Sequence, residues 1–133
     1  RTDGIDWDAL RQPTRSRTGV HEYAVSKLAN VWFSAELGRR LAGTGATNYS
    51  RNHGGGASDV WRAVPWPFRS LMKLRMISTE EGARTSLYCA TSPDCAGETG
   101  LYYDKCRLQT PSTLGRDTTL ALKLWRESER WLA

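Results

Sequence analysis

The sequence predicts an α/β chain, and three observations carry that expectation. A 3.6-residue apolar rhythm runs from His21 to Ala42. A capping signature, Ser78-Thr-Glu-Glu81, opens a later helical stretch. Between that stretch and a final amphipathic segment lies a short β-rich run, Leu101-Tyr-Tyr-Asp-Lys-Cys106.

Residues 1–20 are polar and hold Pro13, so they read as loop with a turn of helix near Ile5–Leu10. The helix over 21–42 places Val25, Leu28, Trp32, Ala35 and Ala42 on one side and Glu22, Ser26, Arg39 and Arg40 on the wetter one. Gly43-Thr-Gly45 ends it, because glycine accepts the left-handed conformation that closes a helix. Residues 46–56 occupy the place of a strand, yet their content is polar and then glycine-rich. Residues 57–76 read as a loop, a turn broken by Pro65 and Pro67, and a short helix. The helix from Ser78 should reach Thr91, with Ala83, Leu87 and Ala90 on its apolar side, before Pro93 and Gly97. A last helix over 117–132 carries Leu120, Leu124, Trp125, Trp131 and Leu132, with Glu127, Glu129 and Arg130 toward water. The order is helix, strand, loop-helix, helix, strand, helix. That is part of an α/β layer arrangement, since two strands make no complete sheet.

At 133 residues the chain forms one domain at most, and 39% apolar with 25% charged residues is folded-protein composition. No apolar run reaches the roughly 18–20 residues that cross a bilayer, and no signal-peptide pattern opens the chain. It begins at Arg1, with no Met, and reads as trimmed or incomplete there. The net charge of +5 rests on fifteen Arg against four Lys. These arginines are scattered, and the doublet Arg39-Arg40 sits where a helix dipole favours cations. Solvated surface charge is therefore expected, with no nucleic-acid partner, which would require clustered Arg among stacking aromatics. Three cysteines, Cys89, Cys95 and Cys106, form no C-x-x-C pair, and only two His accompany them. No metal site is expected; the thiols read as free in a reducing, intracellular compartment.

Tyr23 and Lys27 stand four residues apart at the start of the first helix. That spacing puts both side chains on one face, with Cβ atoms about 5–6 Å apart. A cation beside a phenol favours the phenolate, which suits Tyr23 to general acid–base work on a substrate held against it.

The pair continues as Ser26-Lys27-Leu28-Ala29-Asn30, then Phe33 and Glu36-Leu-Gly-Arg-Arg-Leu41. With Gly4-Ile-Asp-Trp-Asp8, Ser78-Thr-Glu-Glu-Gly-Ala83, Tyr102-Tyr-Asp-Lys-Cys106 and Leu124-Trp-x-x-Ser-Glu129, this resembles the short-chain dehydrogenase/reductase family, in its retinol-dehydrogenase-like branch. The resemblance covers nearly the whole chain. It implies the C-terminal portion of a Rossmann-type, doubly wound parallel sheet whose nucleotide-binding half lies upstream of Arg1. It divides the single partial domain 1–133 into a leading loop (1–20), the active-site helix (21–42), a substrate-loop region (57–77) and a closing helix-strand-helix (78–133).

The activity implied is NAD(P)-dependent interconversion of an alcohol and a carbonyl, with NADP favoured over NAD and a lipophilic, retinol-like substrate. By position, Tyr23 would be the catalytic acid/base. Lys27 would hold the nicotinamide ribose and favour the Tyr23 phenolate. Gly54 and Ser58 match cofactor-contacting positions, so the implied cofactor-binding set is Tyr23, Lys27, Gly54 and Ser58. The chain alone, lacking the glycine-rich nucleotide loop and the catalytic serine, is expected to be inactive. The lipophilic 61–76 loop permits membrane contact, so a cytoplasmic or peripheral-membrane location and self-association both fit. One segment departs from the pattern: His53 stands at the proline position, Arg51 at an apolar one, and Gly55 and Gly56 replace valines. His53 reads as a loop residue rather than a base. The alternative function is a non-catalytic interaction fragment that docks on a partner or on its own missing half.

Overall fold

The computed structural model of the chain describes residues 5–14, 19–52 and 78–133. Three helices and a three-stranded sheet organise them: α1 (Val20–Leu41), β1 (Tyr49–Asn52), α2 (Thr79–Thr91), β2 (Leu101–Asp104), β3 (Arg107–Gln109) and α3 (Thr118–Leu132). The expected substrate-loop region, 57–77, together with His53, Gly54 and Ser58, lies outside the described residues.

Helix α1 starts after Gly19, whose φ of +67° is left-handed. It ends before Gly43, at φ +80°, as the Gly43-Thr-Gly45 pattern predicts. Its inner face carries Trp32, which is 0% exposed and packs with Ala121 and Leu124 of α3. Ile5, Trp7, Leu28 and Leu114 close around this cluster. The Trp32 indole N–H donates to the Leu114 carbonyl at 2.8 Å, so the one polar atom of the buried ring has a partner. Trp7 stacks nearly parallel on Trp32, 6.4 Å between centroids. The leading loop thus docks on the core through Ile5 and Trp7, and its turn of helix, expected near Ile5–Leu10, is a short 3-10 turn at Ala9–Arg11.

Two polar residues interrupt the expected apolar stripe of α1: Ser34 and Glu36 are buried, whereas Ala42 is exposed beyond the helix end. Burial pushes the Glu36 carboxyl up, but hydrogen bonds and charge from Arg39 and Arg40 outweigh it and hold it below the ordinary carboxylate value. Arg39 donates at 2.6 Å and Arg40 at 2.9 Å. A depressed folded-state value means the ionised form stabilises the fold above the ordinary carboxylate range, and that contribution is lost as pH falls through the depressed value. Thermal melts from pH 7 to pH 3 are therefore expected to show a steeper fall for the wild type than for Glu36→Gln. Parallel curves would remove Glu36 from the acid response.

The sheet corrects the two-strand expectation. β1 pairs in parallel with β2, Tyr49 opposite Leu101 and Asn52 opposite Asp104. β2 then turns back into an antiparallel β3, Tyr102 opposite Gln109, giving the order β1-β2-β3. The two-residue turn is Lys105-Cys106, both at positive φ (50° and 58°), the geometry that suits a tight hairpin. Neither residue is Gly or Asn, so the usual hairpin signal is absent. The Cys106 N–H donates to the Thr85 hydroxyl at 3.2 Å, so α2 helps hold the turn.

Ser78 caps α2 by accepting from the Glu81 N–H at 3.1 Å, as the capping signature predicts. The apolar face of this helix is not the expected one. Ala83, Leu87 and Ala90 are exposed, Leu87 at 61%, while Thr85 and Cys89 turn inward. The sheet side is filled by Cys95 and Tyr103, which leave room for a small hydroxyl and a thiol rather than a branched chain. All three cysteines are free, Cys89 and Cys95 buried, as expected. In α3, Asp117 accepts from the N–H groups of Thr119 and Leu120, and Leu124 with Ala121 faces the core. Leu132, expected on the apolar side, is 89% exposed because the helix runs past the body it packs on.

Gly38 and Gly100 bring α1 against the turn before β2. A Cβ added at Gly38 would fall 2.4 Å from the Gly100 Cα. Gly38→Ala should gain about 1 kcal/mol of helix propensity. The backbone overlap should outweigh it and leave a net loss of about 1–3 kcal/mol. A lower urea midpoint with unchanged slope is the expected reading; a raised midpoint would contradict the contact.

Candidate active-site cleft

The first turns of α1 carry Tyr23 and Lys27 to the wall of a cleft of about 600 Å³. The Lys27 ammonium lies 5.2 Å from the centroid of the Tyr23 ring, so the two side chains meet as the i, i+4 spacing predicts. Tyr23 is 58% exposed, and its phenol is open to a ligand entering the cleft. Ser26 spends its hydroxyl locally, donating to the Tyr23 carbonyl at 2.8 Å.

Asn30, Ser34, Asn48, Ser50 and Tyr102 complete much of the lining. No carboxylate stands among the described lining residues. Lys27 and Arg51 line the cleft as cations and Val31, Phe33 and Tyr49 add apolar surface, a wall that suits ribose hydroxyls and phosphate or carbonyl oxygens beside an apolar group.

Asn48 organises the floor. It accepts from the Ser34 hydroxyl at 2.6 Å and donates to the Ser34 carbonyl at 2.9 Å. Its own N–H donates to the Thr99 hydroxyl at 3.1 Å, and its carbonyl accepts from the Gly100 N–H at 2.7 Å. One residue therefore ties the entry to β1 to its neighbours, its side chain to α1 and its backbone to the entry to β2. Sequence reasoning missed both Asn48 and Ser34, because each sits where its own segment gives no reason for a polar residue to be buried.

Tyr102 is a second phenol in the cleft. Burial pushes its hydroxyl above the ordinary tyrosine value, and the Asp104 carboxylate adds to the shift. It stays a neutral hydrogen-bond donor at neutral pH. Tyr103, on the opposite face of β2, is raised as well, first by its hydrogen bond to Glu98 at 2.7 Å and then by Cys95 and burial.

Gly54 and Ser58, matched by resemblance to cofactor contacts, lie outside the described residues. Arg51 donates weakly to the Gly82 carbonyl of α2 at 3.4 Å, so its head group is directed to the α2 side of the sheet. Among the described residues no His, Cys, Asp and Glu gather as metal ligands, and no helix is long and apolar enough to cross a membrane.

The chain is 37% identical to retinol dehydrogenase 11 of Mus musculus over 106 residues, covering 77% of this chain and 33% of that protein. It is 36% identical to dehydrogenase/reductase SDR family member 13 of Bos taurus over 136 residues, covering 98% of this chain and 36% of that protein. The chain belongs to the short-chain dehydrogenase/reductase family. WW domain-containing oxidoreductase of Gallus gallus matches at 33% over 129 residues, 95% of this chain and 31% of its own length. The chain thus spans about a third of the length of these relatives. No protein-family model matches it. A small α/β unit with a three-stranded mixed sheet is consistent with part of the Rossmann-like fold of this family.

Proposed function

We propose that this chain supplies the active-site helix of an NAD(P)-dependent short-chain oxidoreductase that interconverts a lipophilic alcohol and its carbonyl. The observation that carries the reading is the meeting of Tyr23 and Lys27 on one wall of an open cleft with no carboxylate among its described lining residues. In this reading Tyr23 exchanges a proton with the substrate oxygen. Lys27 holds the ribose beside the nicotinamide. The residues present fit the nicotinamide–ribose end of a dinucleotide, since Lys27, Asn30 and Ser50 offer donors around a volume that admits it. When bound, the nicotinamide supplies or accepts the hydride. NADP is favoured over NAD by the resemblance to the retinol-dehydrogenase-like branch, and the same resemblance supports a retinoid-like substrate. Gly54 and Ser58 are proposed as further cofactor contacts. An intracellular site, cytoplasmic or at a membrane surface, fits such a substrate.

The reading treats the chain as the C-terminal portion of the enzyme, so the 133-residue chain alone is expected to turn nothing over. The test is to graft it in place of the aligned segment of retinol dehydrogenase 11 and to assay NADPH-dependent retinal reduction. The graft should be active, and its Tyr23→Phe form should fold and bind NADPH yet lose turnover. A folded Tyr23→Phe graft as active as its parent would reject the assignment.

A second reading is supported by the exposed Val20, Tyr23 and Phe33 along α1, at 67%, 58% and 46%. Such a face suits a non-catalytic fragment that docks on a partner or on a nucleotide-binding half. Size exclusion with light scattering separates the two: a clean monomer that melts cooperatively argues against docking.

A further inference from the structure

A second cleft, of about 570 Å³, lies between the turn near Trp7 and the outer face of α3. That volume is in the range of small-molecule sites. Arg11 comes from the turn; Lys123, Glu127, Arg130 and Trp131 come from one face of α3.

The indoles hold two of the cations without neutralising them. The Lys123 ammonium is 4.4 Å from the Trp7 ring centroid, and the Arg11 guanidinium is 5.9 Å from that of Trp131. Trp7 is itself fixed from behind by its stack on Trp32. Of the two carboxylates in the lining, Glu127 is taken up by an ion pair with Arg130. The other, Asp8, stands against the two cations Arg11 and Lys123, so the cleft keeps a net positive charge of one. Apolar ring surface beside a net excess of cations is the chemistry that recognises an anion with an apolar body.

We propose that this cleft binds a small aromatic carboxylate, with the acid group between Arg11 and Lys123 and the ring along Trp131. The site is built from elements other than those around Tyr23 and does not depend on the oxidoreductase reading.

The test is a titration of the 133-residue chain with 1-naphthoate, followed on the indole N–H signals of its six tryptophans by 15N NMR. Trp→Phe variants assign Trp7 and Trp131. These two signals alone should move, and saturably. Arg11→Gln and Lys123→Gln should each weaken binding about tenfold. Both side chains are exposed, so the melting temperature should hold. The neutral isostere 1-naphthalenemethanol should leave both signals in place, and inorganic phosphate should not reproduce the naphthoate affinity. Absence of saturable shifts, shifts shared by all six indoles, or indifference to the two substitutions would overturn the proposal. So would equal binding of the neutral alcohol or of phosphate.

Discussion

Tyr23→Phe is expected to lower kcat of the grafted enzyme by about 10²–10⁴-fold, the range removed with a positioned acid/base. The phenylalanine keeps the ring and its contact with the Lys27 ammonium, 5.2 Å from the centroid, so only the hydroxyl is deleted. The side chain is 58% exposed, and the stability change should stay within about 0.5 kcal/mol. Coincident thermal melts would therefore separate lost chemistry from lost fold. Lys27→Met, which keeps the aliphatic stem, should weaken NADPH binding and lower kcat together. Lys27→Arg should recover only part of each, because the guanidinium restores charge without the geometry of the ammonium. Cofactor fluorescence and steady-state rates read the two effects apart. A Tyr23→Phe enzyme that kept most of its turnover would turn attention to Tyr102, since the Tyr49 hydroxyl is committed to the Cys95 carbonyl at 2.6 Å. Tyr102 is a poor substitute, since burial and Asp104 raise its hydroxyl away from neutrality.

Trp32→Ala should produce the largest loss of stability in the described structure, about 3–5 kcal/mol from transfer and cavity terms alone. Trp32 is a fully buried side chain, and its removal strips the α1–α3 contact at Ala121 and Leu124. It also leaves the Leu114 carbonyl without its 2.8 Å donor and Trp7 without its stacking partner. Against a typical domain stability of about 5–15 kcal/mol, such a loss removes a large share of the total. Trp32→Phe retains a buried ring and deletes the N–H, which should cost about 1–3 kcal/mol. Far-UV circular dichroism in urea should order the midpoints wild type, Phe, Ala. Equal midpoints for Phe and Ala would assign the effect to the hydrogen bond rather than to the packed ring.

The helices were legible because their signals are local. α1 was expected over 21–42 and runs Val20–Leu41; the Ser78 cap and the start of α3 at Asp117 follow from hydroxyl and carboxylate acceptors placed at helix entries. The Tyr23–Lys27 meeting was legible for the same reason, since four residues on a helix bring two side chains together wherever the helix packs. The remaining features are tertiary. β1 has little strand propensity in Tyr49-Ser-Arg-Asn52 and exists because β2 pairs with it. The β2–β3 hairpin turns on two non-glycine residues at positive φ, one of them held by Thr85 from another element. The inward face of α2 could not be read from hydrophobicity, because the sheet beneath it selects the Thr85 hydroxyl and the Cys89 thiol over Leu87. The Asn48 and Ser34 side chains bond to each other across two elements, and nothing in either segment announces the partner.

The Gly38–Gly100 contact makes α1 a lever. From Gly38 back to Tyr23 is about 15 residues, or roughly 22 Å at 1.5 Å per residue. A tilt of about 10° at that pivot would carry the Tyr23 hydroxyl by nearly 4 Å, more than the span of a hydrogen bond. In the proposed enzyme, a glycine contact far from Tyr23 would thus join Trp32 and Ser34 in setting where the phenol points.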